Sequence, residues 1–156
     1  GLQNYSRMIT KANAIVPFMA GNPIHPKNLK PKPGITEMGW EVHPDGLYKM
    51  LKYFDKYEKI DKIIVTENGS AFPDTVEDGR VHDHQRKKFY QDYIRGMLKA
   101  KKEGVNVQGY FCWTLMDNFE WAEGYHPRFG LVHIDFETQQ RTIKDSGLWF
   151  KEFLAD

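Results

Sequence analysis

Three short apolar runs alternate with three helical stripes along this chain. Ile63-Ile64-Val65 is β-branched and leads into Thr66-Glu67-Asn68-Gly69, which predicts a strand over residues 61–67 stopped by a turn. Val105 to Leu115 reads as another apolar strand, and Gly1 to Arg7 as one at the start. A continuous apolar run, in place of strict alternation, marks a parallel strand buried on both faces. Phe89, Tyr90, Tyr93, Ile94, Met97 and Leu98 recur at i, i+3 and i+4, the spacing of an amphipathic helix. That helix is expected from about Asp83 to Glu103, with Asp83 as its N-cap and Gly104 as the glycine just past its end. Leu47, Met50, Leu51 and Phe54 form the stripe of a helix from about Pro44 to Tyr57, and Pro44 suits its first turn. A third helix is expected from about Ile143 to Leu154. Met19 to Pro33 carries four prolines and little periodicity, and reads as a surface loop.

Strands alternating with helices define an α/β chain with a parallel sheet, here as three strand–helix units and with no other internal repeat. In a β/α barrel, a functional group at the carboxyl end of a strand faces the active-site mouth. Glu67 occupies that position, as a nucleophile or general base would, although a strand-ending glutamate can also point simply at solvent.

Composition narrows the function classes. Hydrophobic residues are 40%, charged 28% and aromatic 14%, ordinary values for a globular domain except for the aromatic share. A net charge of +1, with Lys87-Lys88 and Lys101-Lys102 on the polar side of a predicted helix, offers no nucleic-acid or membrane surface. No apolar run reaches the roughly 18–20 residues of a membrane span. Cys112 is the single cysteine, so no intrachain disulfide can form; it reads as a buried small hydrophobe and favours a cytoplasmic protein. His82 and His84 stand two apart without a third ligand, so neither a metal site nor a cofactor is expected. The glycines between Gly124 and Gly130 lack the strand-to-helix setting of a phosphate loop.

Five blocks of sequence carry a resemblance. They are Gly1-Leu2-Gln3-Asn4-Tyr5-Ser6-Arg7, Met38-Gly39-Trp40-Glu41, Thr66-Glu67-Asn68-Gly69, the stretch Val105 to Phe136, and Arg141-Thr142-Ile143-Lys144-Asp145-Ser146. In this order and spacing the chain resembles the C-terminal part of family-1 glycoside hydrolases, the β-glucosidase family. The resemblance implies a portion of a (β/α)8 TIM barrel, its three units matching units six to eight. Such barrels take about 250 residues or more, whereas this chain has 156. Residues 1–156 are therefore expected to be one partial domain, a fragment that begins inside a strand.

The resemblance also implies roles. Glu67 matches the nucleophile of a retaining mechanism, and Tyr5 the neighbour that hydrogen-bonds it. Gln3 stands where the family has Asn, another amide. Trp113 matches a stacking platform for the sugar, Glu120 a carboxylate that binds two hydroxyls, Trp121 an indole donor, and Phe129 the pocket edge. Physical chemistry supports such a subsite, since sugars offer hydroxyls to carboxylates and indole N–H groups, and C–H faces to flat rings. Plugging of the barrel rim is the alternative fate for these rings. Asp117 reads as a brace for the loop. Phospho-glycosidases of the family have Ser at the position of Glu120, so a carboxylate there implies an unphosphorylated β-glucoside or β-galactoside. The family's acid/base lies in an Asn-Glu-Pro motif, and none occurs here.

Three functions follow: a retaining β-glycosidase completed by an N-terminal barrel part or by self-association, a carbohydrate-binding protein without hydrolysis, or a structural barrel fragment. The intact Thr66-Glu67-Asn68-Gly69 favours the first.

Overall fold

A computed structural model describes residues 1–18, 20–30, 32 and 34–155. Strands β1 (Leu2–Gln3), β2 (Ile63–Asn68) and β3 (Val107–Cys112) form a parallel sheet with β2 in the middle. Helix α1 (Pro44–Phe54) links β1 to β2, α2 (His84–Lys102) links β2 to β3, and α3 (Asp145–Ala155) follows β3. The three expected strand–helix units are all present.

Their core lies between sheet and helices. Leu2, Val65 and Val107 from the strands meet Leu47 and Leu51 of α1 and Phe89, Tyr90, Tyr93, Ile94 and Met97 of α2. Full burial of each such side chain is worth about 1.5–3 kcal/mol. The Phe89 and Tyr93 rings stack at 4.0 Å. The Tyr93 hydroxyl oxygen accepts the His43 N–H at 3.0 Å, tying α2 to the start of α1. Leu98 departs from the expected stripe and is exposed, because the next residue after Met97 is rotated about 100° toward solvent. Pro44 opens α1 as expected. Gly104 follows α2 with φ +100°, a conformation glycine adopts without strain.

The strands are shorter than their sequence patterns. β1 ends at Gln3, after which Asn4 N–H donates to the Glu67 carbonyl and the chain leaves the sheet. β3 ends at Cys112, so Tyr5 and Trp113 both stand just beyond strand ends. Part of the proline-rich stretch, expected as loop, is regular structure. Gly21–Ile24 pairs antiparallel with Ile9–Ala12, and Pro26–Asn28 forms a 3-10 turn capped by the His25 side chain. Met19, Pro31 and Pro33 of that stretch lie outside the described residues. A further hairpin, Val76–Glu77 with Arg80–Val81, turns at Asp78-Gly79. Both turn residues have positive φ, as the Asp-Gly signature of a tight hairpin requires. No helix of the described residues is long and apolar enough to cross a membrane.

Asp83 does not cap α2 with its side chain. It is buried, and its carboxylate accepts the Arg86 guanidinium at 2.6 Å and the Ser146 N–H at 2.8 Å. Arg86, fully buried, also forms two bonds to Asp74, at 2.9 and 3.1 Å, and donates to the carbonyls of Ser70, Phe72 and Arg128. Lys144, equally buried, donates to Asp74 at 2.5 Å and to Asp117 at 2.8 Å. Asp117 braces the loop after β3 as expected, accepting the Gly130 N–H at 2.8 Å and the Arg128 guanidinium at 3.2 Å. Burial lowers the pKa of Lys144, as does the nearby Arg86 charge, while Asp117 and Asp74 oppose the shift.

Removing one partner of a buried pair leaves an uncompensated charge, at a cost of about 3–5 kcal/mol. Arg86→Ala is therefore expected to destabilise the folded protein by about that amount, measured from the urea unfolding midpoint. A change below about 1 kcal/mol would show that the network is dispensable.

Candidate active site

Glu67 is the penultimate residue of β2, and its Cα lies in register with Gln3 of β1. Both carboxylate oxygens are engaged by donors. The Gln3 amide donates to Oε1 at 2.8 Å, and the Tyr5 hydroxyl donates to Oε2 at 2.7 Å. Two neutral donors, one to each oxygen, fix the plane of the carboxylate. Burial raises the pKa of Tyr5 far above its ordinary value, and the hydrogen bond to Glu67 and the charges of Glu67 and Glu120 add to it. Tyr5 is therefore protonated throughout the physiological range and always available as a donor.

The cleft around this carboxylate has a volume of about 340 Å³. Gln3, Tyr5, Trp40, Glu67, Trp113, Glu120, Trp121 and Phe129 line it. Every residue expected at the site is thus in one cleft, together with Trp40. Trp40 packs between Tyr5, at 5.4 Å between ring centroids, and Phe129, at 6.1 Å. Phe129 is buried, a wall of the cleft, while Trp121 is 79% exposed and stands at its rim. The signal for Trp40 was its place in Met38-Gly39-Trp40-Glu41, a block that matched without a role. Arg7 explains its position: the guanidinium grips the buried Glu41 carboxylate at 2.5 and 2.9 Å and so anchors the adjacent Trp40.

Two close backbone approaches shape the floor. A Cβ on Gly69 would lie 1.8 Å from the Trp113 carbonyl oxygen, and one on Gly130 would lie 2.3 Å from the Asp117 nitrogen. Glycine at 69 lets the end of β2 close against the end of β3, and glycine at 130 lets the segment after β3 fold back against Met116 and Asp117. The Trp113 N–H donates to the Asn68 carbonyl at 2.8 Å, and the Tyr90 hydroxyl donates to the Trp113 carbonyl at 3.0 Å. Asn68, fully buried, donates to the Asn4 carbonyl and accepts the Tyr110 hydroxyl, joining all three strands beside Glu67. Cys112 is only half-buried, and burial pushes its thiol up to about 12, so it is not a thiolate at neutral pH.

His82 and His84 lie near a carboxylate from another element. Sequence offers them no third ligand, but the fold brings up Asp145, whose carboxylate lies 2.8 Å from His82 Nδ1.

A strand-end carboxylate in a ring-lined cleft of a partial β/α barrel defines the class of site, and comparison with known proteins gives the family. The glycosyl hydrolase family 1 model matches residues 1–156, and the chain belongs to that family. It is 51% identical over 122 residues to Beta-glucosidase A of Thermotoga maritima, covering 78% of this chain and 27% of the relative. A 6-phospho-beta-galactosidase of Clostridium acetobutylicum is 43% identical over 122 residues, with 78% of this chain and 26% of the relative covered. The solved family 1 β-glucosidase from Thermotoga maritima superposes with a TM-score of 0.90 at 40% identity, over 98% of this chain and 33% of that one. The fold is therefore part of a TIM barrel, and the chain spans about a quarter to a third of the length of these relatives.

Gly69→Ala is expected to push the Trp113 carbonyl out of place and destabilise the protein by about 1–3 kcal/mol or more. Thermal melting and tryptophan fluorescence report both effects. A variant with unchanged melting and spectrum would show that the approach is not a tight one.

Proposed function

We propose that this chain supplies the nucleophile and part of the glycone subsite of a retaining β-glycosidase, as units six to eight of its barrel. The observation that carries the reading is Glu67 held by Gln3 and Tyr5 in the aromatic cleft. Retaining enzymes place two carboxyl groups about 5–5.5 Å apart, one attacking the anomeric carbon and one protonating the leaving oxygen. Glu67, ionised and oriented by its two donors, is the attacking group. Tyr5 keeps its proton and holds the carboxylate edge-on as the covalent bond forms. Trp113 offers a flat face to the sugar, and Glu120 accepts hydroxyls at the far end, with Trp121 at the rim and Phe129 closing the wall.

Among the described residues, Glu67 and Glu120 are the two carboxylates that line the cleft. With Glu120 assigned to hydroxyl binding, the acid/base belongs to the remainder of the barrel. The trough beside β3 supports a missing neighbour: it is apolar, about 580 Å³, and lined by Leu115, Leu131, Val132, Ile143, Phe150 and Leu154 among others. β1 and β3 each have one unpaired edge among the described residues, and open edges invite pairing with another chain. An N-terminal barrel part, or a second copy, would cover them. The whole of residues 1–156 acts as one partial domain in this reading. The single cysteine fits a cytoplasmic setting, which cell fractionation would test.

A 2-deoxy-2-fluoro β-glucoside, incubated with the completed barrel, is expected to label Glu67, read by peptide mass mapping. Label on a different carboxylate refutes the assignment. The 156-residue chain alone is expected to leave p-nitrophenyl β-glucoside intact and to gain activity when mixed with the N-terminal part of the barrel. Turnover by a stable monomer, checked by light scattering, would refute the need for a partner. In the completed enzyme the plain glucoside should outpace its 6-phosphate, because the Glu120 carboxylate repels a phosphate; the reverse order would exclude that role.

A further inference from the structure

We propose that His82, His84 and Asp145 form a binding site for a divalent transition metal of the Zn²⁺ type, outside the sugar cleft. The three side chains each present one ligand atom, and these atoms lie within 4.8 Å of one another. Two imidazole nitrogens and one carboxylate oxygen are a borderline donor set, suited to Zn²⁺, Ni²⁺ or Cu²⁺. Mg²⁺ and Ca²⁺ prefer shells made of oxygen. None of the three residues lines the cleft around Glu67.

To close on an ion, the most widely spaced ligand atoms, within 4.8 Å of each other, must draw in by up to about 1.5 Å. Tetrahedral zinc with bonds of about 2.0–2.1 Å separates its ligand atoms by roughly 3.3 Å. His82 Nδ1 and the Asp145 oxygen, now hydrogen-bonded at 2.8 Å, would open by about half an ångström as the ion replaces the shared proton. The His82 and His84 rings are stacked, 5.9 Å between centroids and 19° between planes, so both nitrogens can turn toward one point. Both histidines are exposed and Asp145 is half-buried, so rotamer changes suffice and a fourth position stays open to water.

Rigidity comes from the residues between the ligands. Asp83, flanked by the two histidines, points inward and accepts the Ser146 N–H and hydroxyl. Ser146 follows Asp145, and Lys144 precedes it with its ammonium locked onto Asp74 and Asp117. The two ligand-bearing segments are therefore pinned together by buried polar contacts before any ion arrives. Little backbone ordering is needed on binding, which favours affinity. α2 begins at His84 and α3 at Asp145, and the positive ends of both helices oppose a cation. The Asp145 carboxylate offsets them, and the balance points to moderate affinity. A bound ion would clasp the start of α2 to the start of α3.

Zn²⁺ titrated calorimetrically into the metal-free purified protein should bind once per chain, with Kd on the order of micromolar. A large excess of Zn²⁺ should raise Tm by several degrees, since the ion binds only the folded site. His84→Ala and Asp145→Asn should each weaken binding at least about tenfold and leave the metal-free Tm within a degree or two. His126→Ala, which removes an exposed histidine elsewhere, should change nothing. Equal binding by wild type and by the His82→Ala/His84→Ala variant would overturn the proposal, as would loss of the site in His126→Ala. Binding of Mg²⁺ as tightly as Zn²⁺ would overturn the donor-set argument.

Discussion

Arg86 sits wholly inside the protein carrying a charge it cannot shed, and the loops at the carboxyl end of the sheet are arranged to meet it. Two carboxylates and three main-chain carbonyls, from Ser70, Phe72 and Arg128, accept its protons. Those carbonyls belong to the segments that follow β2 and β3. Lys144 joins the same cluster through Asp74 and Asp117, so that three cations, Arg86, Lys144 and Arg128, face three carboxylates, Asp74, Asp83 and Asp117. A buried network of this kind contributes modestly to net stability, because desolvation offsets the attraction. Its geometric consequence is larger. The planar guanidinium donors of Arg86 have fixed directions, so satisfying them constrains the mutual placement of the two loops, and Lys144 ties α3 to them.

The cleft inherits its shape from that placement. The loop after β3 carries Trp113, Glu120 and Trp121, and Asp117 holds its base through the Gly130 N–H and Lys144. The loop after β2 is held by Arg86 at Ser70 and Phe72, just beyond Glu67 and Gly69. Gly69 and Gly130 let backbone meet backbone where any side chain would intrude. On the other side, the Arg7–Glu41 pair sets Trp40 against Tyr5, and Tyr5 against Glu67. The Glu67 carboxylate is thus oriented by two chains of contacts that begin well away from it.

The open side of the sheet tells the complementary story. Phe111 and Leu115, at 60% and 64% exposure, lie in or just after β3, on an edge strand. In a closed barrel the inward and lateral faces of each strand are covered by other strands. Three strands can build a helix-covered outer core, and this chain does. They cannot build the barrel interior.

Much was legible in the sequence itself. The three strand–helix units, the helix stripes through Leu47 and Leu51 and through Phe89 to Met97, and Gly104 as a helix stop all follow from local periodicity and backbone preference. Glu67 stood out as a carboxylate ending an apolar strand, though such a residue can also face solvent, and the fold gathers it with Gln3, Tyr5, Trp113, Glu120, Trp121 and Phe129, the residues of the matched blocks, in one cleft. Long-range electrostatics were not legible. Asp83 looked like a helix cap, yet its carboxylate goes to Arg86 and to Ser146, a residue 63 positions away. Nothing in local spacing marked Arg86 or Lys144 as buried charges, which both are. His82 gained the Asp145 carboxylate, 63 positions away, as a hydrogen-bond partner. Spacing along a chain reports which face a residue takes on its own element; partners from other elements, and the burial they impose, exist only once those elements have packed.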